Sequence, residues 1–245
     1  MTITSPHNDK LKEIRKLARR RERALSGRFV AEGEDLLAAA DAAGWPALER
    51  YCAAGSGLDG VEVEPELLAG VSQLGSGTRA LAVYEQRWAD APAGPLCVAL
   101  HGIADPGNVG TVLRSALAFG AASVALGLDC ADPYGFKAVR ASMGALFAVP
   151  VARYAEVGEL PGTVVALDAH AELSIAELTV KVNGPLTLLV GAERTGLPDD
   201  VLAVADRVVR IPIHSESLNA AMAATVALYE VTRSTVATDR RMPTP

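Results

Sequence analysis

Four runs of this chain are apolar almost throughout rather than at alternate positions: "LCVALHG" from Leu96, "SVALGL" from Ser123, "VVALD" from Val164 and "LTLLVG" from Leu186. A strand without a polar face must be covered on both sides. The helix-like segments between the runs can supply that cover, so the pattern implies a parallel α/β sheet. Ligands on such sheets bind beyond the carboxyl ends of the strands. That rule singles out the loop after His101, the loop after Val190 and the segment after "VVRIPI".

At 245 residues, half of them hydrophobic, the chain is long enough for one large or two modest globular domains. Its formal charge of −6 argues against coating nucleic acid with the whole surface, but leaves room for a local basic patch. Cys52, Cys97 and Cys130 are odd in number and unpaired in spacing, so neither a disulfide framework nor a zinc site is expected. No apolar run approaches the roughly 20 residues of a membrane span, and the first residues lack the apolar core of a signal peptide. The expectation is a soluble cytoplasmic protein. His7, His101, His170 and His214 are too scattered for a metal site, and no metal is expected.

Charge is uneven. From Lys10 to Arg28 the chain carries nine Lys or Arg against two Glu. Leu11, Ile14, Leu17 or Ala18, Arg21 and Leu25 recur at helical spacing, with Ser5-Pro6 and Asn8-Asp9 as start signals and Gly27 as a stop. The spacing predicts one basic helix. It is either a solvated face docked through leucines or a contact for RNA phosphates, since acids are too few to pair with these cations. Alternating strand-like and helix-like runs follow to about Gln86. "RWADAPAGP" (87–95) reads as a linker, and "STVATDRRMPTP" as a frayed tail.

Arg114 stands in "DPGNVGTVLRSALAFGA", amid Val112, Leu113, Leu117 and Phe119. It is either a long side chain reaching water from a half-buried position or a charge aimed at a substrate. Asn108, six residues earlier, reads locally as a cap for the helix that follows. Ser217 and Asn219 read likewise for "AAMAATVALYEVTR".

Three stretches together resemble the SpoU family of RNA ribose methyltransferases, within the SPOUT class. They are "HGIADPGNVGTVLRSALAFGA" with "DPYGFKAVRASMGALFAVPV" after it, "LLVGAERTGLP", and "RIPIHSESLNAAMAATVALYE". The N-terminal "SPHNDKLKEIRKLARRRERALSGRFVAEGEDLL" is similar to the RNA-binding domain that often precedes this catalytic domain. The resemblance implies an α/β fold: a knotted, deep-trefoil parallel-sheet SPOUT domain over 96–234, preceded by a small α/β RNA substrate-binding domain over 1–88. Residues 235–245 are then a flexible tail. It also implies a homodimer that uses S-adenosylmethionine to methylate a ribose 2′-hydroxyl in ribosomal rather than transfer RNA.

By the same resemblance the catalytic set is Asn108, Arg114, Glu193, Ser217 and Asn219. Arg114 would act on the ribose hydroxyl or a neighbouring phosphate; an arginine is hard to deprotonate, which favours the phosphate. The cofactor set is Leu167, Gly191, Ala192, Gly196, Ile211 and Leu218. The RNA-contacting cations are Lys10, Lys12, Arg15, Lys16, Arg19, Arg20, Arg23 and Arg28. One departure stands out: "IPIHSESLN" is about two residues shorter than the family pattern and lacks its glycine, which puts the contacts of His214 and Ser215 in question. Two other readings stay open, a catalytically silent RNA-binding relative and an unrelated nucleotide-binding α/β enzyme. No GxGxxG follows any strand, which weighs against the second.

Overall fold

The computed structural model describes residues 2–74, 77–178, 184–215 and 217–239. Among them the strands form two sheets. In the N-terminal part, helices α1 (Asp9–Leu17) and α2 (Arg20–Ser26) precede β1 (Arg28–Glu32), α3 (Glu34–Ala42), β2 (Glu49–Ala53), β3 (Val61–Val63), α4 (Pro65–Ala69) and β4 (Ala80–Glu85). The four strands lie in the order β1-β4-β2-β3, with only β2 and β3 parallel.

The basic segment is two helices, not one. Asn8 caps α1, its side chain accepting from Lys10 N at 3.0 Å, and the chain breaks at Ala18 and Arg19 before α2 begins. The break changes the phase of the second helix. Leu25, expected to dock, is 73% exposed, and Arg23 turns inward instead. Gly27 closes α2 in the left-handed conformation at φ 66°, and Arg28 opens β1.

The second sheet is built from β5 (Leu96–Leu100), β6 (Ser123–Leu126), β7 (Val151–Arg153), β8 (Thr163–Leu167), β9 (Leu173–Ser174), β10 (Leu186–Val190) and β11 (Arg207–Arg210). Its order is β7-β6-β5-β10-β8-β11-β9 and every pairing is parallel. The late strands insert: β10 slots between β5 and β8, and β11 between β8 and β9. Helices α5 (Pro106–Ala118), α6 (Phe136–Ser142), α7 (Ala145–Ala148), α8 (Asp199–Ala203) and α9 (Ala220–Asp239) complete the fold.

The unbroken apolar runs follow from two-sided burial. Val98, Leu100, Val124, Leu126, Leu188 and Val190 face one core, shared with α5 and α9. Cys97, Ala99, Ala125, Ala166 and Leu189 face a second, closed by Val157, Leu160 and Val201. Each fully buried Val or Leu contributes on the order of 1.5–3 kcal/mol, and the two buried polar side chains in these runs, Ser123 and Thr187, are satisfied by backbone carbonyls of Ala93 and Pro161.

The two sheets do not sit on a loose tether. Phe29, Trp45 and Tyr84 of the N-terminal part pack with Tyr134 and Phe147 of the part that follows, with Phe29 4.9 Å from Tyr134 and Trp45 5.2 Å from Phe147, centroid to centroid. The segment expected to be a linker is docked. Ala89 bridges Ala152 beside β7, Arg153 stacks 4.1 Å over Trp88, and Ser123 Oγ donates to Ala93 O. At the other end, α9 continues to Asp239, so 235–239 are helical rather than tail; 240–245 lie outside the described residues.

Candidate functional site

Because every strand of the second sheet runs the same way, the loops after β8, β10 and β11 emerge at one edge. They enclose a cleft of about 530 Å³. Leu167, Gly191, Ala192, Gly196, Ile211 and Leu218, the whole expected cofactor set, line it, together with Glu193 and Ser217. Its volume falls within the range of about 300–1,000 Å³ usual for small-molecule and cofactor sites.

The wall after β10 is a tight reversal. Ala192 N donates to Gly196 O at 3.2 Å, and Gly196 N donates back to Ala192 O at 2.9 Å. A Cβ on Gly191 would stand 2.4 Å from Gly196 C and 2.6 Å from Leu197 N, so only glycine lets the two backbone segments meet. Gly196 itself holds φ 65°. The result is a tight backbone turn along one side of the cleft, flanked by the apolar side chains of Leu167, Ile211 and Leu218.

Asn108, Glu193 and Asn219 meet beside this cleft. Asn108 Nδ2 donates to Glu193 Oε1, and Asn219 Nδ2 donates to Asn108 Oδ1 at 3.0 Å. The contacts join the first turn of α5 to the loops after β10 and β11. Asn108 does not cap α5; Asp105 does, accepting from Gly107 N, and Asn108 lies inside the first turn. That leaves its carboxamide available for the bridge. Asn219 does cap α9, its Oδ1 accepting from Ala221 N at 3.0 Å and Met222 N at 3.2 Å, while Ser217 is exposed at the cleft.

Arg114 departs from its expected setting. It is exposed and forms no ion pair with any described residue, and its neighbour Leu117 is 49% exposed. The helix turns so that Val109, Val112, Leu113 and Ala116 take the core, which leaves Arg114 on the outer face.

Behind the end of β5, Tyr154 Oη and Cys130 Sγ both donate to Leu100 O, at 3.3 and 3.2 Å. Burial pushes both groups above their usual pKa ranges, so they stay protonated at neutral pH and serve as donors rather than bases. The loop after β8 also brings Asp168 and His170 to the cleft, where His170 N donates to Asp168 Oδ1 at 2.7 Å. These two were missed, although an Asp closing an apolar strand at its carboxyl end was a usable sign.

Of the expected RNA-contacting cations, Arg19 and Arg20 are exposed without an acidic partner among the described residues, and Lys16 and Arg28 are exposed as well. Lys10 pairs with Glu49 at 2.6 Å, Lys12 with Asp9 at 2.8 Å, and Arg15 donates to Pro6 O at 3.1 Å. Arg23 must be struck from the set. It is 6% exposed and pairs with Asp132 at 2.8 Å, donating also to Leu17 O and Ala18 O at 2.8 and 3.0 Å. A guanidinium so enclosed has no donor to offer a phosphate. Among the described residues, no cluster of His, Cys, Asp and Glu could hold a metal, and no helix is long and apolar enough to cross a membrane.

Residues 95–229 match the model of the SpoU rRNA methylase family, and residues 8–86 match the MRM3-like substrate binding domain. A 23S rRNA (uridine(2479)-2′-O)-methyltransferase of Streptomyces viridochromogenes is 35% identical over 145 residues, which is 54% of this chain and 50% of that protein. The chain thus spans about half the length of that relative. An uncharacterized tRNA/rRNA methyltransferase of Synechocystis is 30% identical over 257 residues, covering 95% of this chain and 93% of the other. The crystal structure of an AdoMet-bound rRNA methyltransferase from Sinorhizobium meliloti superposes with a TM-score of 0.85 at 29% identity, over 96% of this chain and 98% of that one. With more than half its length under one family model, this chain belongs to the SpoU rRNA methylase family.

Proposed function

We propose that this protein transfers a methyl group from S-adenosylmethionine to a ribose 2′-hydroxyl of structured RNA, ribosomal rather than transfer RNA. The observation that carries the reading is the convergence of the three loops after β8, β10 and β11 on one cleft, with Asn108 tying Glu193 to Asn219 at its side. The 2′-O specificity of the Streptomyces relative and the AdoMet bound to the Sinorhizobium protein support it.

The cleft suits the cofactor chemically. Leu167, Ile211 and Leu218 offer apolar walls for a purine, and the backbone between Gly191 and Gly196 offers groups for its polar edges. When bound, the cofactor supplies an electrophilic methyl on a sulfonium. The ribose hydroxyl that would accept this methyl would release its proton to bulk water, since Arg114 stays protonated. Alignment of the reacting atoms supplies several kcal/mol of such a transfer. Here the bridge from Glu193 through Asn108 to Asn219 holds the loops that set it. Arg114 would attract the phosphate beside the target ribose, as a permanent cation that remains protonated.

Arg114 stands on a face of α5 and α9 that also exposes Leu117, Met222, Val226 and Tyr229. Such an apolar patch beside a substrate-facing cation suits a second copy of the chain, and a homodimer is part of this reading. The trefoil threading is part of it too, supported by the insertion of β10 and β11 between earlier strands. The shortened segment between Ile211 and Leu218 would tighten the cleft without closing it.

Incubation with radiolabelled S-adenosylmethionine and total cellular RNA tests the proposal. Label resisting alkaline cleavage at one nucleotide is the expected result, and Arg114→Ala should abolish it while calorimetry still detects the cofactor. RNA retained without label would instead indicate a silent relative, and no heat at millimolar cofactor would overturn the assignment of the cleft.

A further inference from the structure

Beyond Arg28 and Arg114, further cations cluster in one short stretch of the second part of the chain. Between Ala131 and Ala155 the sequence holds one acid, Asp132, against Lys137, Arg140 and Arg153. Asp132 is neutralised by the buried Arg23, and Arg153 lies flat on Trp88. Lys137 and Arg140 are both exposed on α6 and pair with no described acid. Three residues apart on a helix, they share a face with Cβ atoms about 5–6 Å from each other.

Their position is what gives the pair meaning. The start of α6 abuts the basic helices: a Cβ on Gly135 would lie 3.3 Å from Arg23 Nη2, and Phe136 shares a crevice with Ile14, Leu17 and Ala18. The same helix rests on α5 at Gly110, where a Cβ would stand 2.3 Å from Ala138 O and 2.7 Å from Ala141 Cβ. Arg114 is one turn further along α5. Helix α6 therefore lies between the outer arginines of α2 and Arg114, the cation assigned above to the substrate phosphate, within one packed body.

We propose that Lys137 and Arg140 bind RNA phosphates, forming the middle of a cationic path from α1 and α2 to the methylation site. This rests on the reading above that RNA is the substrate. Two unpaired cations at helical spacing recognise backbone charge rather than base identity, so the pair governs affinity and placement instead of sequence choice.

The test compares wild-type protein with Lys137→Ala/Arg140→Ala, and with Lys137→Arg/Arg140→Lys as a charge-conserving control. RNA affinity is measured across a salt series, the KM for RNA by methyl transfer, and cofactor affinity by calorimetry. The alanine pair should raise the KM at least tenfold and flatten the log–log salt slope by about 1.5, because each phosphate contact contributes about 0.7–0.9. Cofactor affinity and melting temperature should stay at wild-type values, and the control should restore the slope. An unchanged slope and KM in the alanine pair would overturn the proposal. Should the wild type transfer no methyl group, the activity reading fails separately and RNA retention alone decides for the surface: a flattened slope supports it, while an unchanged slope, or no retention by the wild type, overturns it.

Discussion

Asn108 and Asn219, 111 positions apart, are joined by a hydrogen bond of 3.0 Å, and each has a second task. Asn108 donates to Glu193, and Asn219 accepts the free N–H groups at the start of α9. One carboxamide pair thus fastens the start of α5 to the last helix and to the loop after β10.

Replacing either asparagine should separate two effects. Asn219→Ala removes a helix cap and should cost about 1 kcal/mol of stability as well as activity. Asn108→Ala leaves the cap of α5 to Asp105, so its stability loss should be smaller while methyl transfer falls at least a hundredfold. Denaturant titrations beside single-turnover assays would show this, and equal stability losses would refute it.

Gly191→Ala should impair cofactor binding severely, because the new Cβ meets backbone at 2.4–2.6 Å that cannot rotate away. Gly196→Ala meets nothing within 4 Å and carries only the left-handed penalty, about 1–2 kcal/mol. Calorimetry with S-adenosylmethionine should therefore rank Gly191→Ala well below Gly196→Ala, and the reverse order would show that the reversal between them is not the cofactor's wall.

The ion pair of Arg23 with Asp132 is nearly enclosed and spans the two sheets' domains. Removing one partner leaves an uncompensated buried charge, so Arg23→Met should destabilise the protein by about 3–5 kcal/mol. The double variant Arg23→Met/Asp132→Asn should recover part of that loss. Urea unfolding of the four proteins gives the coupling, and additive losses would mean that the two groups act independently.

Tyr84 has a buried hydroxyl with no hydrogen-bond partner among the described residues, and burial pushes its pKa up to about 12. In the unfolded chain the group titrates near 10. Between those values the folded state keeps a proton that the unfolded state has lost, so stability falls as pH rises through this window. Tyr84→Phe should equal or exceed wild-type stability at pH 7 by about 1 kcal/mol. Its alkaline loss of stability should be shallower by one proton. A clear destabilisation at pH 7 would mean that the hydroxyl is paired in solution.

The residues that the family resemblance implies for the cofactor lie in three short runs next to the carboxyl ends of β8, β10 and β11. Leu167, Gly191, Ala192, Gly196, Ile211 and Leu218 all fall on one cleft for that reason. The missed residues Asp168 and His170 lie within three positions of Leu167, and the place of Asp168 at the carboxyl end of an apolar strand was the one local sign of them. Arg23 was misplaced by a different cause. Nine cations in nineteen residues look alike in sequence, and which one turns inward depends on where the helix breaks.

What the sequence determined by itself was the covering of the sheet: unbroken apolar runs require protein on both faces, and that requirement makes the strands parallel and sends their ends to one edge. What only tertiary structure decided was which distant groups meet there. Side-chain period is a local property, whereas the bridge of Asn108 to Asn219 and the pairing of Arg23 with Asp132 depend on strands inserting out of chain order and on two domains sharing a core. Contacts over more than a hundred positions are set by the sum of many packing energies, and no short window of residues carries that sum.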